Sequence, residues 1–236
     1  MRAVVLAGGR GTRLRPYTTV FPKPLMPLGE VPILDVVLKQ LVAAGFQDIV
    51  LSVGYLAELI RAYCGDGSRY GIPLRYLQEE TPLGTVGPVG LLDDFTEPIL
   101  LMNGDILTDL SFKKVWDYHE ASGGMLTIAL NRREVQINFG VVEQLEGNRI
   151  RKYVEKPTID HLVGMGICVL DPAVVPFIER RKPMDLPDLV RTLIAAGKPV
   201  VGWETDAYWL DIGRPDDYER AQADFEKIKD RFGGKA

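Results

Sequence analysis

Cysteine and histidine are scarce in this chain: among 236 residues there are two of each. Cys64 and Cys168 lie in apolar stretches and form no C-x-x-C, which argues against a disulfide scaffold or a zinc site and predicts two buried thiols. His119 and His161 stand alone, without H-E-x-x-H or a comparable ligand spacing, and read as surface or structural side chains. An excess of one charge is lacking too, because 28 Lys and Arg against 32 Asp and Glu leave a net charge of −4. Such a chain has no general attraction for nucleic acid or an anionic membrane, so any anion it binds must be held by a few placed cations. No apolar run approaches the roughly 18 residues of a membrane span, and Met1 to Gly9 is too short and too soon interrupted for a signal peptide. Together these absences predict a cytoplasmic protein that partners neither nucleic acid nor membrane.

What is present is an ordinary globular composition, with 46% hydrophobic and 25% charged residues, in a length that suits one domain with a substantial core. Short β-branched runs alternate with helical patterns, the rhythm of an α/β fold with a mainly parallel sheet. Strands are expected at 2–7, 48–53, 74–78 and 99–102. Between them the periodicity predicts helices from Leu34 to the left-handed stop at Gly45, over 56–64 and over 85–94. After position 110 the pattern changes to a helix at 111–121 and strands at 125–130, 139–143 and 149–155, joined by turns that suggest antiparallel additions. Helices at 173–181 and 186–196, a strand at 199–204 and an apolar piece at 207–212 lead to a last helix starting at Pro215, with Asp216 and Asp217 in its first turn. The tail from Phe232 to Ala236 should fray.

The glycine-rich stretch Leu6-Ala7-Gly8-Gly9-Arg10-Gly11-Thr12-Arg13-Leu14 directly follows the first strand, where open α/β sheets bind ligands. Glycines there let backbone N–H groups approach a phosphate or a base, and Arg13 adds a guanidinium fork for phosphate oxygens. Neither G-x-G-x-x-G nor G-x-x-x-x-G-K-[ST] fits, so the dinucleotide fingerprint and the Walker loop are both excluded. Lys23, between Pro22 and Pro24, gains weight as a second phosphate cation from its nearness to Arg13 in the sequence. Asp105 follows an apolar run, at a place where a carboxylate is costly unless it meets a metal or a partner, and Asp211 has a similar setting. Taken alone, the two are a poor metal signal and are better explained by caps and turns, which use Asp heavily.

The run L-A-G-G-x-G-T-R-L-x-P-x-T from Leu6 to Thr18, followed by P-K-P-L-x-P-x-G from Pro22 to Gly29, resembles the signature of the sugar-1-phosphate nucleotidyltransferases. The resemblance continues through Pro82-Leu83-Gly84-Thr85, Asn103-Gly104-Asp105, Phe139-Gly140-Val141, Val154-Glu155-Lys156-Pro157, Gly166 and Trp209 to Gly213, over nearly the whole chain. It implies a Rossmann-like fold with a nucleotide-binding half over about 1–110 and an antiparallel sugar-phosphate-binding half over about 111–236. No residues remain for the carboxy-terminal β-helix of larger members. The implied reaction joins a nucleoside triphosphate to a sugar 1-phosphate and releases pyrophosphate.

By the same resemblance Asp105 and Asp211 hold Mg²⁺, while Arg13, Lys23 and Asp105 form the catalytic set. Leu6, Ala7, Gly8, Gly9, Gly11, Thr12 and Arg13, with Gln78, Pro82, Gly84 and Thr85, hold the nucleotide. Gly140, Glu155, Lys156 and Gly166 hold the sugar phosphate, although without the family Glu155 and Lys156 read as an exposed ion pair at a strand end. Gly84-Thr85-Val86-Gly87-Pro88 is closer to the G-T-A-G-P of mannose-1-phosphate guanylyltransferases than to thymidylyl or uridylyl enzymes, which favours GTP. Gly164, where many relatives have Asn, leaves the sugar open between mannose, a heptose, glucose and a cyclitol phosphate. Relatives are often homo-oligomers, but the sequence marks no interface. Two rivals remain, a silent nucleotide-sugar-sensing subunit and a glycosyltransferase; the complete set of cations and carboxylates argues against the first and the glycine loop against the second.

Overall fold

Alternating burial along the first strand sets the centre of the molecule. In the computed structural model, which describes residues 1–232, β1 (Arg2–Leu6) buries Ala3 and Val5 on one face and Val4 on the other. A strand covered on both faces belongs inside a parallel sheet. A short hairpin of β2 (Pro27–Leu28) and β3 (Val31–Pro32) leads into α1 (Ile33–Ala43), β4 (Asp48–Val53), α2 (Ala57–Cys64), β5 (Leu74–Gln78), β6 (Ile99–Asn103) and β7 (Ile106–Thr108). Next come α3 (Phe112–Ser122), β8 (Leu126–Gln136), β9 (Val141–Gln144), β10 (Ile150–Val154) and β11 (Thr158–Leu170). The described chain closes with α4 (Leu186–Ala195), β12 (Val200–Thr205), β13 (Trp209–Asp211) and α5 (Pro215–Ile228).

Seven strands form one sheet in the order β12-β8-β11-β6-β1-β4-β5. Its pairings are parallel except those of β11, which runs antiparallel to both β6 and β8. Helices α1, α2, α3 and α5 bury Leu38, Ile60, Trp116 and Phe225 against the face of Ala3 and Val5, and α4 buries Leu189 and Leu193 on the face of Val4. The expected α/β architecture, a mixed and mainly parallel sheet flanked by helices, is therefore present. Beyond the sheet the outer half of β11 stays paired to β8, and the separate β9–β10 hairpin joins it as an antiparallel extension. Among the described residues no helix is long and apolar enough to cross a membrane.

Several expectations need correction. The helix expected over 85–94 is only a 3-10 stretch, Gly87–Leu91, because Gly87, Pro88 and Gly90 offer little helix propensity. Residues 173–181 likewise give a 3-10 stretch, Pro172–Phe177, interrupted by Pro176. The 13-residue β11 was not expected at all: its outer half is exposed and carries Asp160 and His161, so it lacks a clean alternation. β8 continues six residues past the expected end at Leu130 because β11 gives it a partner there. Phe232 is not frayed but buried, stacked on Phe225 with ring centroids 5.7 Å apart; the rest of the expected tail, 233–236, lies outside the described residues. Both thiols are buried, as expected. His119 is buried against the Thr127 hydroxyl at 2.8 Å, and His161 is exposed.

Candidate active site

From β1 the chain builds β4 and β5 on one side and then crosses to β6 on the other, so the carboxyl ends of β1 and β6 flank a switch point. Gly104 closes that gap. Its N–H donates to the Leu6 carbonyl at 2.9 Å, and a Cβ there would stand 2.9 Å from the same oxygen, so only glycine lets the turn press against β1. Asp105 is thereby delivered beside the glycine loop. β13 pairs with β7 in a register that faces Asp211 with Ile106, and the Ile212 N–H donates to the Asp105 carbonyl at 3.3 Å. Two carboxylates 106 residues apart in sequence thus become neighbours.

Lys23 lies between them. It is 8% exposed, its ammonium pairs with Asp105 Oδ2, and it stands 3.9 Å from Asp211 Oδ1. Its position comes from the short turn Lys23–Leu25, which packs on Gly11; that glycine has a φ of +58°, and its carbonyl accepts from the Thr18 hydroxyl at 2.7 Å. The Arg13 guanidinium lies against Gly213, just past Asp211. Burial, and next the Asp105 charge, push the Asp211 carboxyl above the usual carboxylate range, while Lys23 and Arg13 oppose the shift. Asp105 Oδ1 is buried with no hydrogen-bond partner. An unpartnered buried oxygen is costly, so this pair is suited to a further cation. Among the described residues no cluster of three or more His, Cys, Asp or Glu could form a metal cage, which leaves most of any such ion's shell to water and ligand oxygens.

A cleft of about 330 Å³ adjoins the loop, lined by Gly8, Arg10, Gly54, Tyr55, Gln78, Glu79, Glu80 and Pro82. It brings Gly8 of the glycine loop together with Gln78 and Pro82 of the segment after β5. Arg10, Gly54, Tyr55, Glu79 and Glu80 were not singled out from sequence; the position of Gly54 and Tyr55 directly after β4, as the glycine loop follows β1, was the available signal. Ala7 is tied to β4 by its N–H, which donates to the Ser52 carbonyl at 2.8 Å, and Thr12 opens the 3-10 turn that carries Arg13. Gly84 and Thr85 instead meet α4: the Thr85 N–H donates to Asp185 Oδ1 at 3.0 Å, and the Thr85 hydroxyl accepts from the Leu186 N–H at 2.7 Å. Gly9 has open space around it.

The sugar-side residues are more dispersed. Gly166 sits in the register shift of β11, against the Asn103 amide at the end of β6. Glu155 and Lys156 are exposed just after β10, where Glu155 Oε2 accepts from the Tyr153 hydroxyl at 2.8 Å, and Gly140 lies against that same tyrosine. Neither forms a hydrogen bond or ion pair with the Arg13, Lys23, Asp105 and Asp211 group among the described residues. The exposed Glu155–Lys156 ion pair considered from sequence is absent there too. A larger cavity, about 890 Å³, lies elsewhere, between Asp109, Lys114, Asn131, Arg132 and Glu204, and contains none of the expected site residues.

The family model described as nucleotidyl transferase matches residues 2–228. The chain belongs to the nucleotidyl transferase family. A mannose-1-phosphate guanyltransferase of Debaryomyces hansenii is 33% identical over 92% of this chain and 62% of its own length. Mannose-1-phosphate guanylyltransferase 1 of Arabidopsis thaliana is 34% identical over 92% of this chain and 63% of its own. The chain therefore spans about three fifths of the length of these relatives. Among solved structures, a putative glucose-1-phosphate thymidylyltransferase from Bacillus anthracis superposes with a TM-score of 0.78 at 22% identity, covering all of both chains. HddC from Yersinia pseudotuberculosis gives 0.73 at 24% identity, covering 95% of this chain and 99% of that one. At these identities the two likenesses establish that this nucleotidyl transferase shares their fold.

Proposed function

We propose that this nucleotidyl transferase moves the nucleoside monophosphate of a triphosphate, GTP in our reading, onto a mannose- or heptose-like sugar 1-phosphate, releasing pyrophosphate and an NDP-sugar. The carrying observation is Lys23, held between Asp105 and Asp211 with Arg13 beside them, next to the glycine loop. The names of the curated relatives support guanine as the base, as does a second structure of HddC, which is complexed with GMP-PN. Thymidylyl or uridylyl transfer to glucose 1-phosphate is the second reading, and the name of the Bacillus anthracis neighbour supports its thymidylyl form alone.

In this mechanism an ionised oxygen of the sugar phosphate attacks the α-phosphorus in line. A new P–O bond forms as the bond to the bridging oxygen breaks, and pyrophosphate leaves with that electron pair. No Ser–His or Cys–His nucleophile is needed, so charge neutralisation and alignment carry the catalysis. Arg13 and the N–H groups of the Gly8–Gly11 loop hold the triphosphate, and Lys23 exchanges its carboxylate partners for phosphate oxygens. Lys156 faces the charge of the sugar phosphate, Glu155 accepts from sugar hydroxyls, and Gly140 and Gly166 admit the ring close to the backbone. The half over about 1–110 binds the nucleotide and the half over about 111–236 the sugar phosphate, with Asp211 contributed across that division.

The orphaned Asp105 oxygen, the crowding of Asp211 and the two-carboxylate donor set fit Mg²⁺, a hard cation that commonly takes one or two carboxylates and completes its shell with water and substrate phosphates. Asp105 and Asp211 would hold it, and when bound it would neutralise charge on the phosphates. The test is pyrophosphate release with Mg²⁺, crossing GTP, dTTP, UTP, CTP and ATP with a panel of sugar 1-phosphates. Release with GTP and one sugar phosphate is expected; release with another base alone would replace the donor, and silence across a widened panel would leave a sensing role.

A further inference from the structure

Sixteen large apolar side chains are exposed among the described residues, and nine of them lie between positions 135 and 162, in the antiparallel extension. Phe139 is 77% exposed, Ile150 63% and Tyr153 62%. The apolar area left bare on these nine is on the order of 800 Å², about what one partner contributes to a stable interface. A patch of that size concentrated in one arm marks an interaction surface.

The β9–β10 hairpin is the least supported part of the arm. Its two strands pair only with each other, and every residue in them is exposed except Val154, which is half-buried. A two-stranded hairpin with no buried face is marginal in water and needs a third strand or a covering element. The two free edges differ. The β10 edge carries Arg151 and Lys152, with Arg149 just before it, and such charges resist the addition of another strand. The β9 edge, Val141–Gln144, has Glu143 as its one charge, and that carboxylate is paired with Arg151 at 3.1 Å and faces Lys152 in the strand register. It is therefore the edge open to pairing.

We propose that β9 pairs antiparallel with β9 of a second copy of this chain, closing a four-stranded sheet β10-β9-β9-β10 about a twofold axis at Val142. A twofold perpendicular to a sheet sets one residue against itself. At Glu143 it would oppose like charges, whereas at Val142 it sets valine on valine, Val141 on Glu143 and Phe139 on Leu145 of the second copy. The assembly is closed, and the basic β10 edges face outward, where they stop further growth. Joining β9 to β10 of another copy would leave a free edge at each end and build an open chain.

The pairing bears on the site. Resting on the sugar-phosphate roles given above, Gly140 immediately precedes β9, and Glu155 and Lys156 immediately follow β10. A hairpin covered by the second copy holds these three groups in place, so the sugar-phosphate half of the site is complete only in the dimer.

The experiment combines sedimentation velocity over a dilution series, oxidation by diamide and steady-state kinetics on wild type, Val142→Lys, Val142→Cys and Ile150→Cys. Wild type should sediment as a dimer that dissociates on dilution. Val142→Cys should cross-link two copies, since the axis puts the new thiols opposite each other and both native thiols are buried. Ile150→Cys, more exposed but on the outer strand, should not. Val142→Lys opposes two ammonium groups and should be monomeric with an unchanged melting curve at low concentration. Its KM for the sugar phosphate should rise on the order of 3–10-fold, the reciprocal of the fraction of time that a bare hairpin holds the binding geometry, with KM for the triphosphate unchanged. A wild type that stays monomeric at every concentration would overturn the proposal, as would faster cross-linking of Ile150→Cys than of Val142→Cys. Unchanged kinetics in a folded, monomeric Val142→Lys would overturn the link to the site. Sedimentation and cross-linking need no activity, so silence in pyrophosphate release would count against the proposed reaction and not against the pairing.

Discussion

Single side chains at the switch point carry separable roles. Lys23→Ala removes the cation between Asp105 and Asp211, and Asp211→Asn removes one carboxylate of that pair. Each should lower turnover at least a hundredfold, the scale of ~3–4 kcal/mol for a lost preorganised charge or donor. Pyrophosphate release beside a circular dichroism spectrum checks this; near-normal turnover in either folded variant would remove the role assigned. The thiols offer a second residue-level test, because burial pushes Cys64 up to about 11 and Cys168 up to about 12. With almost no thiolate at pH 8, iodoacetamide should leave both untouched in the native protein and modify both in urea. Alkylation at a free-thiol rate without denaturant would contradict their burial. Arg13, Lys23, Asp105 and Asp211 were legible in the chain because a dense motif surrounds each. Glu80 and Tyr55 were not, since an exposed glutamate and a loop tyrosine have no signature until a cleft joins them.

Among the elements, the Pro82–Thr85 loop is anchored more firmly than a pure nucleotide loop needs. The Thr85 hydroxyl accepts from the first N–H of α4, which adds to the capping box that Asp185 and Asp188 form at that end. Thr85→Val should therefore cost about 1 kcal/mol of stability, read as a lower urea midpoint at unchanged m-value. A raised KM for GTP at unchanged stability would instead assign Thr85 to the nucleotide. The extension shows why elements differ in legibility. Helix α1 and strands β1, β4 and β5 announce themselves through apolar periodicity, since each packs one or both faces on the core. The outer part of β11 has little such pattern, because its backbone is held by β8 rather than by buried side chains, and an exposed strand need not alternate.

At the scale of the whole molecule, pH should act through His119. Burial lowers its pKa, against the opposing charges of Asp171 and Glu120. The folded state thus binds its proton less readily than the unfolded chain, whose histidine titrates near 6.5. The stability this contributes is fully present above that value and is lost as the pH falls from there toward the folded pKa. The urea midpoint should drop between pH 7.5 and 5.5, and His119→Gln should flatten the drop; an equal slope in both proteins would locate the titration elsewhere. The sequence alone determined the α/β rhythm, the core faces and the glycine loop with its two cations, because each is written within a few neighbouring residues. It also carried the family, through motifs spread along the chain. Only the tertiary structure decided that Asp211 stands beside Asp105, that Lys23 lies between them, and that Gly8, Tyr55, Gln78 and Glu80 share one cleft. Those meetings depend on strand order and register across many tens of residues, and a local pattern of side chains does not encode which strand ends will face each other.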